Sequence, residues 1–134
     1  MSTEKKKRAQ TMGEELANTI SHGVGALLAA VGAAPLIVRG MMSGSGKTVF
    51  SLTAYGLSLI LLYTASAVYH AVRRPEVKRA LRVMDHCSIF VLILGTYIPM
   101  SLLVVGGRTG WMLFLTNTTL AVIGITLNAI DLKR

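Results

Sequence analysis

Four stretches of this chain carry no Lys, Arg, Asp or Glu: residues 20–38, 48–72, 86–105 and 111–130. An α-helix rises about 1.5 Å per residue and the hydrocarbon core of a bilayer is about 30 Å thick, so each run is long enough to cross it as a helix. Backbone amides in lipid must be satisfied within their own segment, which makes a helix the only economical form for such a run. The fold class that follows is all-α: a polytopic membrane protein with a four-transmembrane-helix bundle, its spans near 20–38, 48–72, 86–105 and 111–130. A chain with 52% hydrophobic and 15% charged residues has too little polar surface for a soluble domain of this size.

The polar remainder organises the spans. Residues 1–13 are basic and lack apolar periodicity, which predicts a disordered cytoplasmic tail ahead of a transmembrane domain over 14–134. The first apolar run lacks a small-residue cleavage site and reads as a retained span. The Gly/Ser-rich stretch 39–47 reads as a turn, 73–82 as a basic loop with at most one interfacial turn, and 106–110 as a tight glycine turn before the interfacial Trp111. Pro35 is expected to bend the first span. Asn117 and Asn128 need partners inside the bundle or at its edge, and Cys87, the single cysteine, reads as a small packing residue.

Charge then orients the chain. Of the fourteen basic residues, eleven fall in the N-terminal tail, the 73–82 segment and the C-terminus; only Arg39, Lys47 and Arg108 fall on the other side. The positive-inside rule places both termini in the cytoplasm of a multi-pass cell-membrane protein. The formal charge of +8 is thereby assigned to orientation and anionic headgroups, not to nucleic acid, whose binders interleave aromatics with bases on one folded face. The bilayer is the expected partner. Nucleotide binding is excluded on spacing: Gly44, Gly46, Lys47 and Thr48 imitate a phosphate loop, but its first glycine would fall at Met41.

Ionisable residues near spans are costly, so their placement carries weight. Glu15, Asn18 and His22 share one helix face at the start of the first span. Ser66 and His70 are one turn apart at the end of the second, and Asp85 and His86 open the third. All seven fall on the cytoplasmic side. One reading is an interfacial hydrogen-bond network that satisfies helix ends; the other is a metal or proton-handling site, for which no pair of histidines at metal-binding helical spacing is present.

The pattern Glu15-x-x-Asn18-x-x-x-His22, Ser66-x-x-x-His70, Asp85-His86 and Gly95-Thr96-Tyr97-Ile98-Pro99 resembles the hemolysin III family, the bacterial branch of the progestin and adipoQ receptor superfamily. The resemblance runs from about Glu14 onward. It implies a seven-span fold, of which this chain holds the first four, and a zinc site with one histidine on the second span and two on the seventh. His70 matches the first of these ligands; Ser66 and Asp85 match the side chains that position the metal-bound water, with Glu15, Asn18, His22 and His86 as a supporting polar network. By the same resemblance the expected activity is a zinc-dependent membrane hydrolase acting on a lipid or amide substrate. Cytolysis by pore formation, or an inactive structural fragment, are the alternatives. Since the two later histidines are absent from these 134 residues, the chain is expected to be a truncated part, inactive and weak in zinc by itself, whose site needs the missing C-terminal spans or another chain.

Overall fold

The computed structural model describes residues 10–132, and the expected disordered tail lies mostly outside the described residues. The fold is four long apolar helices: α1 (Met12–Met42), α2 (Gly46–Ala71), α3 (Pro75–Pro99) and α4 (Gly107–Asp131), with a π-helical segment, Met100–Val105, continuing α3. Each is long and apolar enough to cross a bilayer, and the protein is a multi-pass membrane protein.

Helix α1 begins two residues ahead of the expected boundary because Thr11 and Glu14 form a reciprocal cap. The Glu14 amide donates to Thr11 Oγ1 at 3.3 Å and the Thr11 amide to Glu14 Oε2 at 2.7 Å. Pro35 is accommodated inside the helix. Its end is closed by Ser43, whose hydroxyl donates to the Gly40 carbonyl at 2.6 Å, and Gly44 then takes φ +66°, a left-handed conformation that glycine adopts without steric cost. Ser45 caps α2 by accepting from the Thr48 amide. The residues that imitate a phosphate loop are therefore the hinge of a helical hairpin.

The clearest departure from the sequence reading lies at 73–82. That stretch is helical from Pro75 onward, so the link between α2 and α3 is confined to Val72, Arg73 and Arg74. Proline has the fixed φ of a first helical residue and no amide to leave unpaired there, and Glu76 in the first turn complements the helix dipole. Lys78, Arg79 and Arg82 consequently project from helical turns.

Pro99 cannot donate to the ladder at the other end of α3, and the chain widens at once into the π-helical segment. Its last bond runs from the Gly106 amide to the Ser101 carbonyl at 2.9 Å, and Gly106 at φ +63° reverses the chain into α4. Gly110 on α4 lies directly against the Ser101 carbonyl, an approach that leaves no room for a Cβ.

The helices pack in chain order, α1 on α2, α2 on α3, α3 on α4, while α1 and α4 do not approach each other. The bundle is thus an open-sided row. Lipid offers no hydrophobic driving force between helices, so the contacts rest on small residues that let backbones approach. Gly56 meets Ala33 between α2 and α1, Gly25 meets the Tyr63 ring, Gly95 meets Ser58 between α3 and α2, and Gly124 meets the Phe90 ring. Gly23 and Gly32, on the same helix as Gly25, face open space. The buried Ser51, Ser58 and Ser88 return their hydroxyls to carbonyls of their own helices, so they pack as small residues without an unsatisfied donor.

Outward faces are apolar: Val31 is 72% exposed on α1 and Leu127 63% on α4, as lipid-facing side chains should be. Asn117 bonds within its own helix, to the Leu113 carbonyl at 2.9 Å. Asn128 instead crosses to α3, where its amide approaches Cys87 Sγ at 3.5 Å, and the thiol in turn points at the Ile125 carbonyl at 3.8 Å. Cys87 therefore joins α3 to α4 as well as filling space.

Candidate functional site

Antiparallel neighbours bring the start of α1, the end of α2 and the start of α3 to one end of the row. There Glu15 accepts two bonds from different helices: His70 Nδ1 stands 2.6 Å from Oε2, and Lys78 Nζ 2.7 Å from Oε1. The three side chains are 23%, 10% and 25% exposed, so all are shielded enough for the charges to matter. A carboxylate is an acceptor only, so the proton in the His70 bond belongs on Nδ1, and the tautomer of the neutral ring that this bond selects has its lone pair on Nε2. The Lys78 ammonium pairs with the same carboxylate.

Aromatic rings wall the cluster. Tyr69 tilts against His70 with centroids 4.8 Å apart, and the Lys78 ammonium lies 5.0 Å over the Tyr69 ring, a cation–π contact. His22 meets the His70 and Tyr63 rings edge-on, each at 5.9 Å. Its Nδ1 is buried and has no hydrogen-bond partner among the described residues. A hollow of about 230 Å³, lined by Met12, Glu15, Thr19, His70, Arg73 and Lys78, opens beside the pair.

The other residues singled out from sequence lie nearby without joining this network. Ser66 is buried one turn before His70 but makes no hydrogen bond with it among the described residues. Asn18 is half-buried, and its backbone carbonyl accepts from Ser21. Asp85 approaches His86 Nδ1 at 3.5 Å, while that nitrogen donates to the Arg82 carbonyl at 2.9 Å. His86 reaches the cluster only through the edge of Tyr69, 6.5 Å between centroids. Lys78, Tyr69 and Tyr63 are participants that sequence reasoning missed. Pro75 was the available signal, because a helix beginning there places Lys78 in a first turn beside the end of α2.

Zinc can be tested against these side chains. His70 with its Nδ1 on a carboxylate has the arrangement of a metal-bound histidine, in which the second ring nitrogen is oriented by a carboxylate partner. The set as a whole does not fit: among the described residues no three His, Cys, Asp or Glu side chains gather closely enough to hold a metal ion. A zinc centre requires at least three protein ligands, and this end of the row presents one prepared imidazole.

Residues 10–134 match the family model described as "Haemolysin-III related". The chain is 38% identical over 133 residues to "Hemolysin-3" of Bacillus cereus, covering 98% of this chain and 61% of the relative. It is 37% identical over 124 residues to "Hemolysin-3 homolog" of Bacillus subtilis (strain 168), covering 92% of this chain and 58% of that relative. The chain thus spans about three fifths of the length of these curated relatives. No solved structure matches it. A family match over nearly the whole of the described chain, together with four apolar membrane helices and the Glu15–His70 end, makes this protein a member of the haemolysin-III related family.

Proposed function

We propose that this chain is the His70-bearing part of a zinc-dependent membrane hydrolase acting on a lipid or amide substrate at the cytoplasmic face. The observation that carries the reading is the 2.6 Å bond between Glu15 and His70, which leaves Nε2 available as a ligand. In this reading the remaining ligands come from a segment or polypeptide outside these 134 residues. In the same reading Ser66 and Asp85 are the side chains that orient water, with Asn18, His22 and His86 supporting the polar layer. Both termini lie in the cytoplasm on this account, because that end of the row carries most of the basic residues.

Metal analysis after exhaustive dialysis tests the proposal. The 134-residue chain should retain far less than one zinc per molecule, since one imidazole holds the ion poorly. A version extended to the full length of the Bacillus relatives should retain about one, and lose it on His70→Ala. Zinc unaffected by His70→Ala in the extended protein would remove His70 from the ligand set. Stoichiometric zinc in the short chain, lost on the same substitution, would show that the ligands assemble here after all.

The printed names of the relatives favour a second reading, cytolysis. A conducting path needs polar groups along the helices, whereas the ionisable side chains here crowd at the helix ends and the faces between are apolar. We expect the purified chain to release no more dye from loaded vesicles than a detergent control. Release that scales with protein concentration would restore the pore.

A further inference from the structure

Beside the Glu15–His70 pair, on the far side of Lys78, lies a second hollow of about 230 Å³ lined by Tyr69, Pro75, Lys78, Arg79 and Arg82. It exists because α3 starts at Pro75. In a loop the three basic residues would diverge, but on a helix Lys78, Arg79 and Arg82 are neighbours at spacings of one turn or less, with Arg79 and Arg82 at i, i+3 on one face.

The balance of charge in this hollow is unusual. Lys78 is committed to Glu15 and rests over Tyr69. Arg79 and Arg82 have no carboxylate partner among the described residues, whose ion pairs use Glu15 and Asp85. Glu76 stands on the same first turn and is exposed, but it does not line the hollow. Arg74 provides no side-chain cap, so the first amides of α3 are unpaired and add the positive end of the helix dipole. Two guanidinium forks, an ammonium and an aromatic ring thus line one concavity at the start of α3.

The depth of the hollow selects the ligand. Arg79 and Arg82 occupy the turns just before α3 becomes continuously apolar, so they stand at headgroup level when the helix spans a bilayer. Guanidinium groups match phosphate oxygens two at a time, and Tyr69 and Pro75 offer the apolar contact that a glycerol backbone can use. We propose that this hollow binds the phosphate of an anionic phospholipid headgroup, with Arg79 and Arg82 as the residues that grip it. The two gripping residues stand apart from the metal reading, because among the described residues neither arginine is bonded to Glu15 or His70, although Lys78 and Tyr69 border both places.

Native mass spectrometry of the detergent-solubilised full chain, titrated with phosphatidylglycerol, tests the assignment. Arg79→Gln/Arg82→Gln should weaken phosphatidylglycerol binding by about tenfold, whereas Arg73→Gln/Arg74→Gln, which removes the same charge from the adjoining link, should change it less than about twofold. Arg79→Lys/Arg82→Lys, which keeps the charge but not the fork, should fall between. Phosphatidylcholine should bind the native chain weakly and respond to none of these changes. Equal losses in the two Gln pairs would mean diffuse attraction to a basic surface and would overturn the site. Displacement of bound phosphatidylglycerol by millimolar inorganic phosphate would assign the hollow to a soluble anion and overturn the lipid. Should the Gln pair fail to fold, the Lys pair and Arg82→Gln alone carry the comparison, and unchanged binding in both would refute the proposal.

Discussion

Replacing Gly95 by alanine should separate α2 from α3 and cost about 3 kcal/mol. A Cβ at Gly95 would fall onto Ser58 Oγ and lie 2.6 Å from Ser58 Cβ. The hydroxyl can rotate away, giving up its 2.7 Å bond to the Tyr55 carbonyl, but the Cβ moves only with the backbone of α2. The two helices must part, and with them the small-residue contact that lipid cannot replace. Ser58→Gly should recover part of the loss in the double variant, although a glycine inside a helix costs about 1 kcal/mol by itself. Unfolding in mixed micelles, followed by helix content against denaturing detergent, reads both effects. If Gly95→Ala unfolds like the native chain, α2 and α3 do not pack at this point.

The second large effect belongs to Glu15. Glu15→Ala removes the shared acceptor of His70 and Lys78 and should lower stability by about 2 kcal/mol, as expected for charge-assisted bonds that are mostly shielded. Lys78→Ala should cost less, because His70 still pairs with the carboxylate. The double variant should fall short of the sum, since each substitution removes part of the same network. Strict additivity in that cycle would mean that the two bonds do not form together.

Why the spans were legible and the row was not follows from what each depends on. Residues 48–72 and 111–130 declare themselves by the cost of charge in lipid, a property of each segment alone. Hydropathy reports the part of a helix that sits in lipid, however, and not the whole helix. That is why 73–82 reads as a loop although Pro75 and Glu76 start a helix there. Lys78 was lost with it. Which face meets which is a property of pairs: Gly25 packs on Tyr63 while Gly23, two residues earlier, meets nothing, and no composition rule separates them.

The polar end was legible to the extent that helical periodicity could carry it. Glu15 and His22 lie seven residues apart on one face, and both meet His70. Asn18 shares that face yet bonds to neither, because contact depends on side-chain length and on the neighbour's position as well as on spacing. The partnership of Glu15 with His70 spans 55 residues of sequence, and only the hairpin of α1 and α2 creates it. His22, whose buried Nδ1 has no partner among the described residues, is the side chain whose surroundings the sequence least anticipated.

A role for His70 as a metal ligand requires Glu15 to hold the ring with the proton on Nδ1 and the lone pair on Nε2. Nitrogen-15 NMR of histidine-labelled chain reads this directly, with His70→Gln assigning the signal and the pH raised until the ring nitrogens show the neutral-ring shifts. We predict that His70 populates the Nδ1–H form in the native chain and that Glu15→Ala allows the Nε2–H form to appear. A native His70 already in the Nε2–H form would contradict the account, for its outward nitrogen would then be a donor and closed to a metal.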